Sequence, residues 1–208
     1  HAQASGMWQF IPATGRSFGL NQNWWYDGRR DVVESTRAAS EYFNYLSAKF
    51  DGDWLLVLAA YNAGEGTVRR AMERNRRAGK GTSFWDLKLP RETRRYVPQL
   101  LALAEVVARP DHYRVPLHDV GNTPYYTAVN VGSQIDLAQA AELAGVEIEE
   151  LYLLNPGYNR WATDPNGSHR LLIPSDKSAR FVQELEKLPA DQRVSWQRYK
   201  IAPGDSLS

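Results

Sequence analysis

In residues 31–50, DVVESTRAASEYFNYLSAKF, the positions Val32, Thr36, Ala39, Phe43, Leu46 and Phe50 recur at spacings of three and four. That period places them on one stripe of an α-helix, which is predicted to be the buried face. Asp31 followed by Glu34 has the form of a capping box, and Gly52 stops the helix. The stretch that follows has no polar face. Residues 54–60, WLLVLAA, are apolar on every side, so the helix capped by Asp53 is predicted to run through the centre of a core. A basic helix is predicted over 67–78, where Arg69, Arg70, Arg74, Arg76 and Arg77 make a solvated face. LPRETRRYVPQLLALAEVVARP reads as a pair of helices, with Pro98 restarting or kinking the helix after Val97. No strand alternation interrupts residues 1–109, which are predicted to be one helical domain.

The pattern changes beyond a linker at 110–124, rich in proline and turn residues. YYTAVNV alternates as a strand, and DLAQAAELAG runs as a helix from a capping Asp136 to Gly145. EIEELYLLNP reads as a second short helix and HRLLIP as a second strand. The resulting β-α-α-β unit, 125–177, is small enough to bury little surface by itself, and it is expected to dock on the helical part. Residues 178–198 read as a connecting helix or linker. YKIAPGDSLS, at 199–208, matches TAVNVGSQID in pattern, Val129 with Ile201, Gly132 with Gly204 and Ile135 with Leu207. It is expected to open a second copy of the unit, and both ends of the chain are expected to be truncated.

Composition removes several functions. A net charge of +1 over 208 residues leaves no broad positive field for nucleic acid. The longest apolar run is too short to span a bilayer. Cysteine is absent, which excludes disulfides and thiolate metal sites. The four histidines are scattered without an i, i+4 pair, so no metal site is expected. Glycines in AGEG and AGKG lack the strand–loop–helix setting of a phosphate loop, and no cofactor is expected. The seven Trp and eleven Tyr suit partly wet clefts, having flat apolar faces and polar tips. Tyr61 and Asn62 stand at the end of the most apolar helix. Leaving such groups buried and unpaired costs about 1–3 kcal/mol, so they either satisfy a turn or face a ligand.

Gly6-Met7-Trp8-Gln9, Ala60-Tyr61-Asn62-Ala63-Gly64 and Glu92-Thr93-Arg94-Arg95-Tyr96-Val97, in that order, resemble the family 1 lytic transglycosylases over residues 1–109. The β-α-α-β unit resembles a degenerate LysM module, and 199–208 the start of a more standard one. The resemblance implies a mainly α fold, a goose-lysozyme-like helical domain plus the small LysM-like module. It implies non-hydrolytic cleavage of the β-1,4 bond between N-acetylmuramic acid and N-acetylglucosamine in peptidoglycan. One glutamate first protonates the glycosidic oxygen and then, as base, assists attack by the sugar's own 6-hydroxyl, leaving a 1,6-anhydro end. Most glycosidases need two carboxyls; with the nucleophile tethered in the substrate, one can suffice.

Carried onto this chain, the resemblance implies that Gln9 bonds an N-acetyl or hydroxyl group near the scissile bond and that Met7 is an apolar wall of the same subsite. Tyr61 and Asn62 would form the groove floor, with Glu92 and Tyr96 supporting it. The catalytic Glu-Ser pair of the family is expected upstream of His1, so no catalytic residue is assigned within the chain. Glu65, in a first helical turn where the helix dipole favours a carboxylate, is expected to be a poor substitute as a general acid. The implied partner is the glycan strand, bound by a monomer of the periplasm or outer-membrane face of the envelope, with membrane attachment only through an upstream lipid anchor. Two other readings are a non-catalytic peptidoglycan-binding fragment and a lysozyme-type hydrolase.

Overall fold

A computed structural model describes residues 3–194. The expected second module at 199–208 and the end of the connecting segment, 195–198, lie outside the described residues. Among the described residues the fold is mainly helical with one two-stranded sheet. It divides into two compact units, His1–Ala38 with Thr123–Ser208, and Ala39–Asn122.

Helix α1 (Pro12–Ser17) is a short element that the apolar pattern did not announce; its proline at the first position loses no intrahelical bond. Helix α2 (Val32–Lys49) begins as predicted. Asp31 Oδ1 accepts the amides of Val33 and Glu34, both at 2.9 Å, while the Glu34 carboxylate pairs with Arg37 and Arg170. The buried stripe holds at Ala39, Leu46 and Phe50 and needs correction elsewhere, since Val32 and Phe43 are only half-buried. Thr36 is exposed, its hydroxyl donating to Val32 O at 2.6 Å and accepting from Trp8 Nε1 at 2.9 Å. Ser35 and Ala38, outside the predicted stripe, are buried as well. Small side chains admit close packing, whereas the Thr36 hydroxyl finds its partners at the surface.

In the unit 39–122, helices α3 (Trp54–Ala63), α4 (Glu65–Arg77) and α5 (Arg91–Ala108) surround a single core. Asp53 Oδ1 caps α3 through Leu55 and Leu56 N at 3.0 and 3.2 Å. Leu56, Val57, Ala59 and Ala60 are buried, although Trp54 remains 56% exposed. The expected helix pair at the end is one helix: α5 runs unbroken through Pro98. Proline removes a single rung of the ladder, the bond from position 98 to the Arg94 carbonyl, and α5 continues past it to Ala108; its buried residues, Thr93 and Val97, lie before the proline. A one-turn helix α6 (Pro110–Tyr113) follows.

In the other unit, β1 (Tyr126–Asn130) pairs antiparallel with β2 (Arg170–Pro174), Val129 opposite Leu171. Between them lie α7 (Leu137–Ala144) and α8 (Ile148–Leu154). Asp136 caps α7 through Ala138 N at 2.8 Å, and Gly145 closes it in the left-handed region. The segment read as a connector holds α9 (Ser178–Lys187), whose Phe181 and Leu185 join Val129, Ile135, Leu137, Leu151 and Ile173 in one core. Residues 23–31 are fastened to 157–170 by polar contacts. Asp27 N donates to Gly157 O at 2.8 Å, Asn159 N to Trp25 O at 2.7 Å, and Asn23 Nδ2 to Asp164 at 2.7 Å. Arg170 pairs with Asp31 at 2.7 Å.

Candidate functional site

Tyr61 and Asn62 occupy the last turn of α3, where the apolar run gives way to polar residues. The Phe43 ring stacks on Tyr61 with centroids 4.6 Å apart, and Tyr42 lies 5.4 Å away. Burial, and then the neighbouring Tyr96 and Tyr42, push the Tyr61 phenol well above its ordinary range. Burial also raises Tyr96. Both phenols are therefore neutral groups that can donate a hydrogen bond at any physiological pH. Asn62 Oδ1 accepts from the hydroxyl of Thr93 at 2.7 Å, and Thr93 is only 1% exposed. That bond fixes the amide plane and leaves the two N–H donors of Asn62 available to a ligand.

The packing of α3 on α5 brings Asn62 beside the polar face of the later helix. Asn62, Arg91, Glu92, Arg95, Tyr96 and Gln99 line one open depression. It carries amide, phenol and guanidinium donors around a single carboxylate, a set suited to hydroxyl and N-acetyl groups. Four predicted residues, Tyr61, Asn62, Glu92 and Tyr96, thus belong to one unit. Thr93 and Phe43 were missed. The i, i+4 pair Thr93 and Val97 on the α5 core face was the available signal for Thr93; nothing local marks Phe43, because its stacking on Tyr61 joins two helices.

Met7 and Gln9 belong to the other unit. Gly6 has φ +77°, and a Cβ there would sit 1.8 Å from Arg29 O, so the turn admits only glycine. Gln9 has φ 52°. Its backbone N donates to Gly6 O at 3.3 Å, and its own Nε2 donates to the same carbonyl at 2.7 Å. Gln9 therefore locks the turn as well as exposing its side chain, a structural duty that the motif alone did not disclose. Met7 is 66% exposed. Behind the turn, Arg29 is nearly buried; it donates to Gln3 O at 2.7 Å and grips Asp27 at 2.6 Å. Burial by itself would raise the Asp27 carboxyl, but the hydrogen bonds and charge of Arg29 outweigh it and hold Asp27 below its usual value.

Glu65 opens α4. Its Oε2 is buried without a hydrogen-bond partner, and a hydrogen bond to its carboxylate raises the Tyr45 phenol. Among the described residues no group of three or more His, Asp or Glu could hold a metal ion, and no helix is long and apolar enough to cross a membrane.

Residues 1–84 match the family model of the transglycosylase SLT domain. Residues 125–190 match that of the LysM-like domain of lytic transglycosylase MltD. The whole chain is 37% identical, over 221 aligned positions, to membrane-bound lytic murein transglycosylase D of Escherichia coli strain K12, and equally to that of E. coli O6:H1. It spans 48% of the length of each of these relatives. A putative tributyltin chloride resistance protein of Alteromonas sp. is 51% identical over 72 residues, 35% of either chain.

Proposed function

From the match of residues 1–84 to the transglycosylase SLT domain and of residues 125–190 to the LysM-like domain of lytic transglycosylase MltD, we propose that the chain is the glycan-binding part of a peptidoglycan lytic transglycosylase. The observation that carries the reading is the pairing of Thr93 with Asn62 at 2.7 Å. A buried hydroxyl orients an amide whose free donors share a depression with Glu92 and Tyr96.

In this reading Asn62 and Tyr61 donate hydrogen bonds to the hydroxyl or N-acetyl groups of a muramic acid–glucosamine strand. Glu92 accepts from a sugar hydroxyl, and Tyr96 supports the floor. Met7 is an apolar wall, and Gln9, with Nε2 held by Gly6, presents its Oε1 as an acceptor. The general acid is a glutamate that the family resemblance puts ahead of the Gly6–Gln9 turn. It protonates the glycosidic oxygen, and the same carboxylate then takes the proton of the 6-hydroxyl as that oxygen attacks C1. The C1–O4 bond breaks, the C1–O6 bond forms, and no water is consumed. The domain division, 1–109, a linker at 110–124 and a LysM-like module from 125, is proposed as well; the two matched spans support it. A monomer in the cell envelope, on the periplasmic face of the outer membrane, completes the proposal.

The test is the product. Residues 1–208 should bind sacculi and release nothing, whereas the chain extended upstream to include the glutamate should release 1,6-anhydro-muropeptides, detected by mass spectrometry. A positioned general acid contributes about 10²–10⁴-fold, so the difference is plain. Products one water heavier would make the enzyme a lysozyme-type hydrolase. Release by residues 1–208 alone, abolished by Glu65→Gln or Glu92→Gln, would place the acid inside the chain and overturn the assignment.

A further inference from the structure

Three indoles meet where residues 23–31 are fastened to residues 157–170. Trp24 lies edge-to-face with Trp25 at 4.6 Å and with Trp161 at 5.9 Å, and Trp25 with Trp161 at 5.6 Å. Their backbones are fixed by the bond from Asn159 N to Trp25 O, the bond from Asn159 Nδ2 to Asn23 O, and the contact of Arg30 with the Asn159 side chain. Even so, Trp24 is 50% and Trp161 39% exposed. Two large rings held rigidly and left half in water gain little for the fold, and such a patch marks a contact surface.

The charge beside it is unusual. The Arg160 guanidinium lies over the Trp24 ring at 4.0 Å, and its Nε is buried with no hydrogen-bond partner. Among the described residues no carboxylate pairs with Arg160; the nearby Asp164 is engaged instead by Asn23 Nδ2 and Asn166 N. A cation pinned to an aromatic face, without a counter-ion, keeps its remaining donors for an anion. Next to it stand rings whose electron-rich faces attract the slightly positive C–H groups of a sugar.

We propose that Trp24, Trp161 and Arg160 form a second glycan-binding surface, on which the indoles stack against pyranose rings and Arg160 pairs with a carboxylate borne by the same strand. The surface joins the segment before α2 to the loop between α8 and β2. It rests on the reading of the protein as a peptidoglycan-binding one, and it adds a subsite made of residues that this reading does not use. The carboxylate is either the lactyl group of a bare glycan strand or an acid of an attached stem peptide.

Titration of residues 1–208 with three probes tests it: neutral N-acetylglucosamine hexamer, peptide-free glycan strands, and peptide-bearing strands. Trp24→Ala with Trp161→Ala should weaken all three by about tenfold or more, with Trp24→Phe and Trp161→Phe, which keep a ring, restoring most of the affinity. Arg160→Gln should leave the hexamer unchanged and weaken a charged strand. Loss confined to the peptide-bearing strands assigns the carboxylate to the stem peptide, and loss on peptide-free strands assigns it to the lactyl group. Melting curves accompany each variant, so that a misfolded alanine pair is recognised and the phenylalanine variants and Arg160→Gln decide. If the parent chain binds no probe, the peptidoglycan reading fails along with this surface. If Asn62→Ala abolishes binding while the tryptophan and Arg160 variants bind like the parent, this surface alone is refuted.

Discussion

Replacing Thr93 by Val isolates the contact on which the candidate site depends. The substitution keeps the β-branched shape inside the core and deletes the hydroxyl that donates to Asn62 at 2.7 Å. A neutral hydrogen bond contributes about 0.5–1.5 kcal/mol net. Asn62 is only half-buried, so its released oxygen can turn to water and the full penalty of an orphaned acceptor does not apply. A loss near 1 kcal/mol lowers the melting temperature of a chain this size by about 2–4 °C. Binding should suffer as well, because the amide is no longer held in one plane. If most of that energy was orienting the donors, affinity for N-acetylglucosamine hexamer falls by up to about tenfold. Fluorescence titration of Thr93→Val, Asn62→Ala and the double variant reads both effects. Since Thr93 is held to act through Asn62, Thr93→Val should cost no further affinity once Asn62 is Ala. Affinity losses that add in the double variant, or a Thr93→Val chain that melts lower yet binds normally, would refute the reasoning and leave Thr93 a plain core residue.

Gly6→Ala should lower the melting temperature, because its Cβ would meet Arg29 O at 1.8 Å on a backbone already at φ +77°; a melt unchanged from the parent would show that the turn can relax. Asp27 has a depressed folded-state pKa, so its contribution to stability is present above the ordinary carboxylate range and is lost as pH falls through the folded value. Thermal melts across the acid range should show that loss, and Asp27→Asn should flatten it; an identical pH profile in the variant would rule Asp27 out. Val129→Asp buries a charge opposite Leu171 in the sheet and should abolish amide protection over 126–185. Protection from hydrogen exchange in the core of 46–97 should persist, and equal loss of protection in both would mean that the two cores fold as one.

Much of the fold is legible in residue order because it rests on short-range physics. Helix α2 follows from its period of three to four, α3 from an unbroken apolar run behind Asp53, and the small module from alternation, capping Asp136 and Gly145. Gln9 and Glu92 are singled out by the family resemblance and not by local pattern, whereas Tyr61 and Asn62 also stand out as polar groups at the end of an apolar helix. The sequence by itself could not say what holds them. Thr93 and Phe43 act across helix contacts between residues far apart in the chain, and α9 reads as a connector until Phe181 and Leu185 are seen in the core of the module. Thr36 left the buried face because its hydroxyl found Val32 O and Trp8, and α5 runs on through Pro98, which removes only one rung of its ladder. The indole cluster is the furthest from local reading, since Trp24 and Trp161 become neighbours only when residues 23–31 are bonded to residues 157–170. Periodicity and capping act within a turn or two and can be read from residue order; side-chain partners are chosen by packing, which only the tertiary structure decides.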